Sequence, residues 1–151
     1  IQLDPERPIP YLDRGVAYMA KGDSTQALTD YRSALKIDPQ FSPAYNNLAW
    51  QLATCPDASF RNGKQAVEYA TQACELSQWG NLHQISTLAA SYAEAGDFDR
   101  AIKWENDVLA TPNLAVEALA KARERLALYQ RHQPYHREPV NQQSIQVPTH
   151  P

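Results

Sequence analysis

The sequence predicts an all-α fold: three antiparallel helix hairpins stacked in series, then a capping helix and an extended tail. Three observations carry this prediction. The chain resembles itself at a shift of 34 residues, with Leu3-Asp4-Pro5-Glu6 falling on Ile37-Asp38-Pro39-Gln40 and Tyr11 on Tyr45. Apolar residues recur at spacings of three and four, the period of an amphipathic helix. The 11 prolines among 151 residues sit where helices must stop. Three of them fall within the first ten residues and four within the last eighteen, leaving Pro39, Pro43, Pro56 and Pro112 as internal boundaries.

The first hairpin opens with the stripe Tyr11, Gly15, Tyr18 and Met19. Gly22-Asp23 interrupts it, and Asp23 suits the N-cap of a second helix. Ala27, Leu28, Tyr31, Ala34 and Leu35 form that helix's apolar face, which ends before Asp38-Pro39. Gly15 and Ala27 are small where the two helices cross, and the aromatic rings fill the space beside the crossing.

The same frame returns in the third hairpin as Ala89, Tyr92, Gly96-Asp97 and Ala101. Gly15 to Ala27 and Ala89 to Ala101 each span 12 positions, whereas Ala49 to Ala66 spans 17. The second hairpin therefore carries five extra residues within 55–62. Pro56 stops its first helix, and Asn62 or Ser59 can cap its second.

Thr111-Pro112 reads as N-cap and first residue of a capping helix that runs to about Arg131. Leu119, Ala122, Leu126 and Tyr129 supply its apolar stripe, while Lys121, Arg123, Glu124 and Arg125 crowd the polar face. Residues 133–151 are rich in proline and glutamine and cannot hold a helix. Such a segment is expected to lie extended against folded protein, on its own molecule or a neighbour.

These spacings resemble the tetratricopeptide repeat (TPR). Tyr11, Gly15, Tyr18, Ala27, Tyr31, Ala34 and Pro39 match its motif in a first repeat at 8–41. Tyr45, Leu48, Ala49, Leu52, Ala66, Ala70 and Ala73 match it at 42–80, and Ile85, Leu88, Ala89, Tyr92, Ala101 and Val108 at 82–111. The resemblance implies a right-handed superhelix over 1–132, with the capping helix at 112–131 and the tail at 133–151. Arg14 stands at a usually apolar place, and Glu105 where an aromatic is usual, with Trp104 beside it. Ile1–Glu6 resembles the close of an upstream repeat, and no initiator methionine precedes it; a piece of a longer chain is expected. The five-residue insertion resembles that of bacterial members.

In this family the first helix of each pair lines a concave groove. The resemblance places Ile9, Leu12, Val16 and Met19 there from the first pair. Asn46, Asn47, Trp50 and Ala53 follow from the second, and His83, Ser86, Ala90 and Glu94 from the third. Asparagine amides can bond an extended backbone, while Trp50 and Met19 contact side chains. Two roles are open for Trp50: an anchor for a partner, or a ring packed between repeats. Some members clamp the carboxylate of a chaperone tail with Lys, Arg and Asn. Here Asn47 matches that pattern, but Leu12, Val16, His83 and Thr87 stand where the other clamp residues belong. Without cations, charge-assisted bonds to a carboxylate are lost, and chaperone-tail binding is not expected.

The net charge is −3, and the basic residues are dispersed rather than interleaved with stacking aromatics, which argues against a nucleic-acid surface. No run approaches the 18 apolar residues of a membrane span. Cys55 and Cys74 lie at opposite ends of a helix about 16 Å long, too far apart to pair. Cys74 reads as a small buried residue and Cys55 as a helix-end residue. His132 and His136 are separated by Pro134, so their spacing does not define a metal site. No catalytic signature, cofactor or metal site is expected. The expectation is a protein–protein interaction scaffold in a cytoplasmic setting, with a protein or peptide partner. A regulatory or recruiting segment of a larger enzyme is the alternative. Another is self-association through the tail or through an exposed N-terminal repeat edge.

Overall fold

The computed structural model describes residues 6–141. The expected remnant of an upstream repeat at 1–5 and the tail beyond residue 141 lie outside the described residues. Among the described residues the chain forms seven α-helices and no strand. They are α1 (Pro8–Ala20), α2 (Ser24–Ile37), α3 (Ser42–Thr54), α4 (Gly63–Leu76), α5 (Leu82–Glu94), α6 (Phe98–Leu109) and α7 (Val116–Gln130). Hairpins α1/α2, α3/α4 and α5/α6 stack in order, and α7 closes the row against α6 and α5.

Helices α1, α5 and α7 end as α4 does, where Trp79 N–H donates to Cys74 C=O at 2.8 Å past Gln78 with φ 53°. Asp23 N–H donates to Tyr18 C=O at 2.9 Å, Asp97 N–H to Tyr92 C=O at 2.9 Å, and Gln133 N–H to Leu128 C=O at 3.0 Å. This closure needs a residue with positive φ just past the helix. Gly22 (81°) and Gly96 (83°) supply it after α1 and α5, and His132 (56°) after α7. Asp23 and Asp97 then cap α2 and α6 through bonds from Gln26 and Arg100 N–H at 3.1 Å each. The α3–α4 connection is longer, with a 3₁₀ turn at Ala58–Phe60. There Asn62 caps α4 by accepting from Gln65 N–H at 3.0 Å.

Both departures from the repeat pattern are ion pairs. Arg14 sends Nε and Nη2 to the carboxylate of Asp30 on α2, at 2.7 and 2.6 Å. Asp30 is buried, so the pair replaces an apolar contact across the first hairpin. Glu105 on α6 is fully buried and meets Arg125 of α7 at 2.8 Å. Arg125 is thus not on the solvated face where the sequence pattern put it; it ties α7 to the last hairpin. Trp104, displaced beside Glu105, stacks on Trp79 at 5.1 Å.

The start of α7 also needs correction. It begins at Val116, four residues after Pro112. Asn113 has φ 58°, which breaks any helix begun at Pro112, and Leu114 packs onto the core of Ala70, Ile85, Leu88 and Val108. Cap chemistry at Thr111-Pro112 therefore yields to burial of Leu114. Both cysteines are free and buried. Burial pushes the Cys74 thiol up to about 11.

Candidate partner-binding groove

Helices α1, α3 and α5 run in the same direction along the stack, so their first turns form one edge of a shared face and their last turns the other. The part of this face ahead of the last turns is open. Ile9 and Val16 are 48% and 43% exposed, and Leu12 is half-buried against Leu28 and Tyr31. Asn46 and Asn47 are half-buried, and the Oδ1 of Asn46 has no hydrogen-bond partner. Asn47 also lies against the Tyr31 hydroxyl. Burial pushes that phenol up to about 12, although nearby Arg137 opposes the shift. His83 is exposed at the start of α5.

Other expected groove residues have different surroundings. Ser86 bonds Glu105 and Arg125, at 3.4 and 3.2 Å, and so belongs to the network under α7. Ala90 is buried in a cluster with Leu52, Ala53 and Ala66, so it offers no contact surface. A methyl group at a helix crossing lies below the rings that flank it. Trp50 packs on that cluster and also faces Tyr135, with ring centroids 5.9 Å apart. Met19 is half-buried and receives the Tyr31 hydroxyl at 3.8 Å.

The edge built from the last turns is occupied by the chain itself. After α7 the backbone reverses at His132, whose ring stacks on Phe98 at 5.1 Å. Residues 133–141 then run without regular structure past α5, α3 and α1 in turn. His136 pairs with Glu94 at 2.6 Å, and Arg61 holds the other oxygen of that carboxylate at 3.1 Å. Arg137 N–H donates to Thr54 C=O at 2.9 Å. Thr54 is the last residue of α3, so its carbonyl has no partner inside the helix. The Arg137 guanidinium donates to Thr54 Oγ1 at 3.0 Å and to Gln51 Oε1 at 2.5 Å. Val140 ends this path against Gly22. The tail expected to lie extended on folded protein does so over these residues.

Sequence reasoning missed Gln51, Thr54, Tyr135 and Arg137. Their signal was weak: Gln51 and Thr54 are polar interruptions in the otherwise apolar end of α3. Among the described residues no cluster of three metal-ligating side chains occurs, and no helix is long and apolar enough to cross a membrane.

Residues 8–41 match the family model described as "Tetratricopeptide repeat". A curated relative, small glutamine-rich tetratricopeptide repeat-containing protein 2 of Mycosarcoma maydis, is 36% identical over 52 residues. That match spans 34% of this chain and 15% of the relative, and its fungal source lends no support to a bacterial type. Two solved structures share the fold. The first TPR of Spaghetti (RPAP3), bound to the HSP90 peptide SRMEEVD, superposes with a TM-score of 0.61 at 22% identity. The superposition covers 83% of this chain and 99% of that one. The N-terminal domain of stress-induced protein-1 from C. elegans gives 0.54 at 22% identity, covering 78% and 92%. Residues 8–41 are thus matched as a tetratricopeptide repeat, and the described chain has the superhelical fold of solved tetratricopeptide-repeat domains.

Proposed function

We propose that this chain is a protein–protein interaction scaffold that holds a peptide or a partner helix in the groove of α1, α3 and α5. The observation that carries the proposal is the open part of this face. Ile9 and Val16 are exposed on α1 and Leu12 is half-buried, while α3 carries the half-buried amides Asn46 and Asn47, the Asn46 oxygen being buried without a partner. Exposed apolar side chains at neighbouring turns of one helix give a partner an apolar contact. The amide pair of α3 can bond the backbone of an extended ligand. The likeness to a repeat domain solved with a bound peptide adds support to the class of function.

Val16→Asp and Trp50→Ala test an exposed side chain and its equivalent one repeat on, which meets the returning segment. Val16 is exposed, so its substitution should abolish partner capture by the full-length protein while leaving the melting temperature unchanged. Trp50→Ala should weaken capture with helicity nearly intact, measured by circular dichroism. A loss of several kcal/mol in stability would make Trp50 a packing residue instead. Capture that survives Val16→Asp would sink the proposal.

Charge argues against one class of ligand. By the resemblance, Leu12, Val16, His83 and Thr87 stand at the places of the clamp residues, and none of the four is lysine or arginine. SRMEEVD is therefore expected not to bind this chain in a fluorescence-polarisation titration. Tight binding that depends on Asn47 would overturn that expectation.

A further inference from the structure

We propose that the last-turn edge of the groove is a recognition slot for an extended segment in which an aromatic residue is followed two positions later by arginine. Tyr135 and Arg137 of this chain fill the slot in cis, as a displaceable strap. This deepens the function proposed above and names the chemistry of a second partner-binding region on the same face.

The slot is built from acceptors. Thr54 C=O, Thr54 Oγ1, Gln51 Oε1 and one Glu94 oxygen face the strap, and in each of these bonds the strap supplies the donor, while Arg61 holds the second Glu94 oxygen from outside the strap. The last turns of α3 and α5 converge here, and helix C-termini carry partial negative charge. Arg61 already binds Glu94 and the Cys55 and Pro56 carbonyls at this edge, and the acceptors left to the strap suit a donor-rich segment. In an extended chain alternate side chains share a face. That spacing lets Tyr135 lie on Trp50 while Arg137 reaches Gln51 and Thr54.

The strap is also an imperfect occupant. Both guanidinium bonds are to neutral oxygens, and burial lowers the Arg137 pKa, so the charge is held without a carboxylate. Beneath residues 137–140 a cavity of about 230 Å³ remains, lined by Met19, Ser24, Cys55 and Pro56. Val140 leaves this space unfilled. A segment with the same aromatic-x-Arg pair and a bulkier apolar residue three positions after the arginine would fit better.

Cys55 lines that cavity and is 1% exposed, so its thiol reports whether the strap is seated. Cys74 is fully buried elsewhere and serves as the internal control. In the full chain, Tyr135→Ala with Arg137→Ala should raise the rate of Cys55 alkylation about tenfold, with Cys74 unchanged. A labelled synthetic peptide of residues 133–141 carrying Val140→Phe should bind that double variant about tenfold more tightly than wild type. Unchanged Cys55 alkylation, or equal peptide binding by both chains, overturns the proposal. If Cys74 reacts as well, the variant has unfolded, and amide exchange in the wild-type chain decides. Protection of the Arg137 amide supports the strap, and exchange as fast as a free peptide overturns it. Loss of Val16-dependent capture concerns only the open part of the face, so failure there and failure here are distinguishable.

Discussion

Arg125→Ala should cost about 3–5 kcal/mol of folding stability, measured by urea unfolding. Glu105 has no exposed surface, and its carboxylate is held by Arg125 Nε and Nη2 and by Ser86. Truncating the arginine leaves a buried carboxylate with one hydroxyl donor. Breaking such a pair is expensive because the remaining charge cannot return to water. The pair itself is not obviously stabilising. Burial raises the Glu105 pKa while Arg125 pulls it back. Replacing both residues, Glu105→Leu with Arg125→Met, should therefore recover most of the loss.

The pH dependence gives an independent check. Without Arg125, the folded-state pKa of Glu105 rises further above its unfolded value. Stability linked to such a group is fully present below the unfolded pKa and is lost as pH rises through the folded one. The deficit of Arg125→Ala should thus be largest near about pH 7 and shrink towards about pH 5. A deficit independent of pH would show that Glu105 is not the group left stranded.

Gly63→Ala should also destabilise, by about 2 kcal/mol, although alanine favours helices by about 1 kcal/mol over glycine. A Cβ at Gly63 would stand 2.6 Å from Ala95 Cα and 2.6 Å from the Glu94 carbonyl carbon. These are backbone atoms at the end of α5, and no rotamer change can relieve the contact. The helices must move apart, taking Glu94 away from Arg61 and His136. A stabilised Gly63→Ala variant in urea unfolding would show that α4 and α5 do not approach so closely.

The hairpins were legible because their rules are local. Asp23, Asn62 and Asp97 cap through bonds only three residues long, and Gly22 and Gly96 mark the turns before α2 and α6. The start of α7 was misread because Thr111-Pro112 has the chemistry of a cap, but Leu114 is drawn into the core. The pairing of Glu105 with Arg125 spans 20 residues and leaves no short-range pattern. Each charge alone reads as an exception or as surface. The strap was visible as an extended segment, but its address was not. Arg137 meets Thr54 across 83 residues, and no spacing rule reaches that far. Of the expected groove, Leu12, Val16, Asn46, Asn47 and His83 border the open part of the face, whereas Ala90 and Ser86 serve packing.

The reversal at His132 changes how the stack should come apart. A row of repeats touching only its neighbours behaves as a one-dimensional chain and frays from either end. Here Phe98, Glu94, Thr54 and Gly22 each meet the returning segment, which links the third hairpin to the second and the first. The row is buckled into a loop. Releasing one hairpin then also releases the buckle, so melting should be a single cooperative step in which the repeats do not dissolve one at a time. The same closure places a slow, long-range contact late in folding, after the hairpins have formed from local ones.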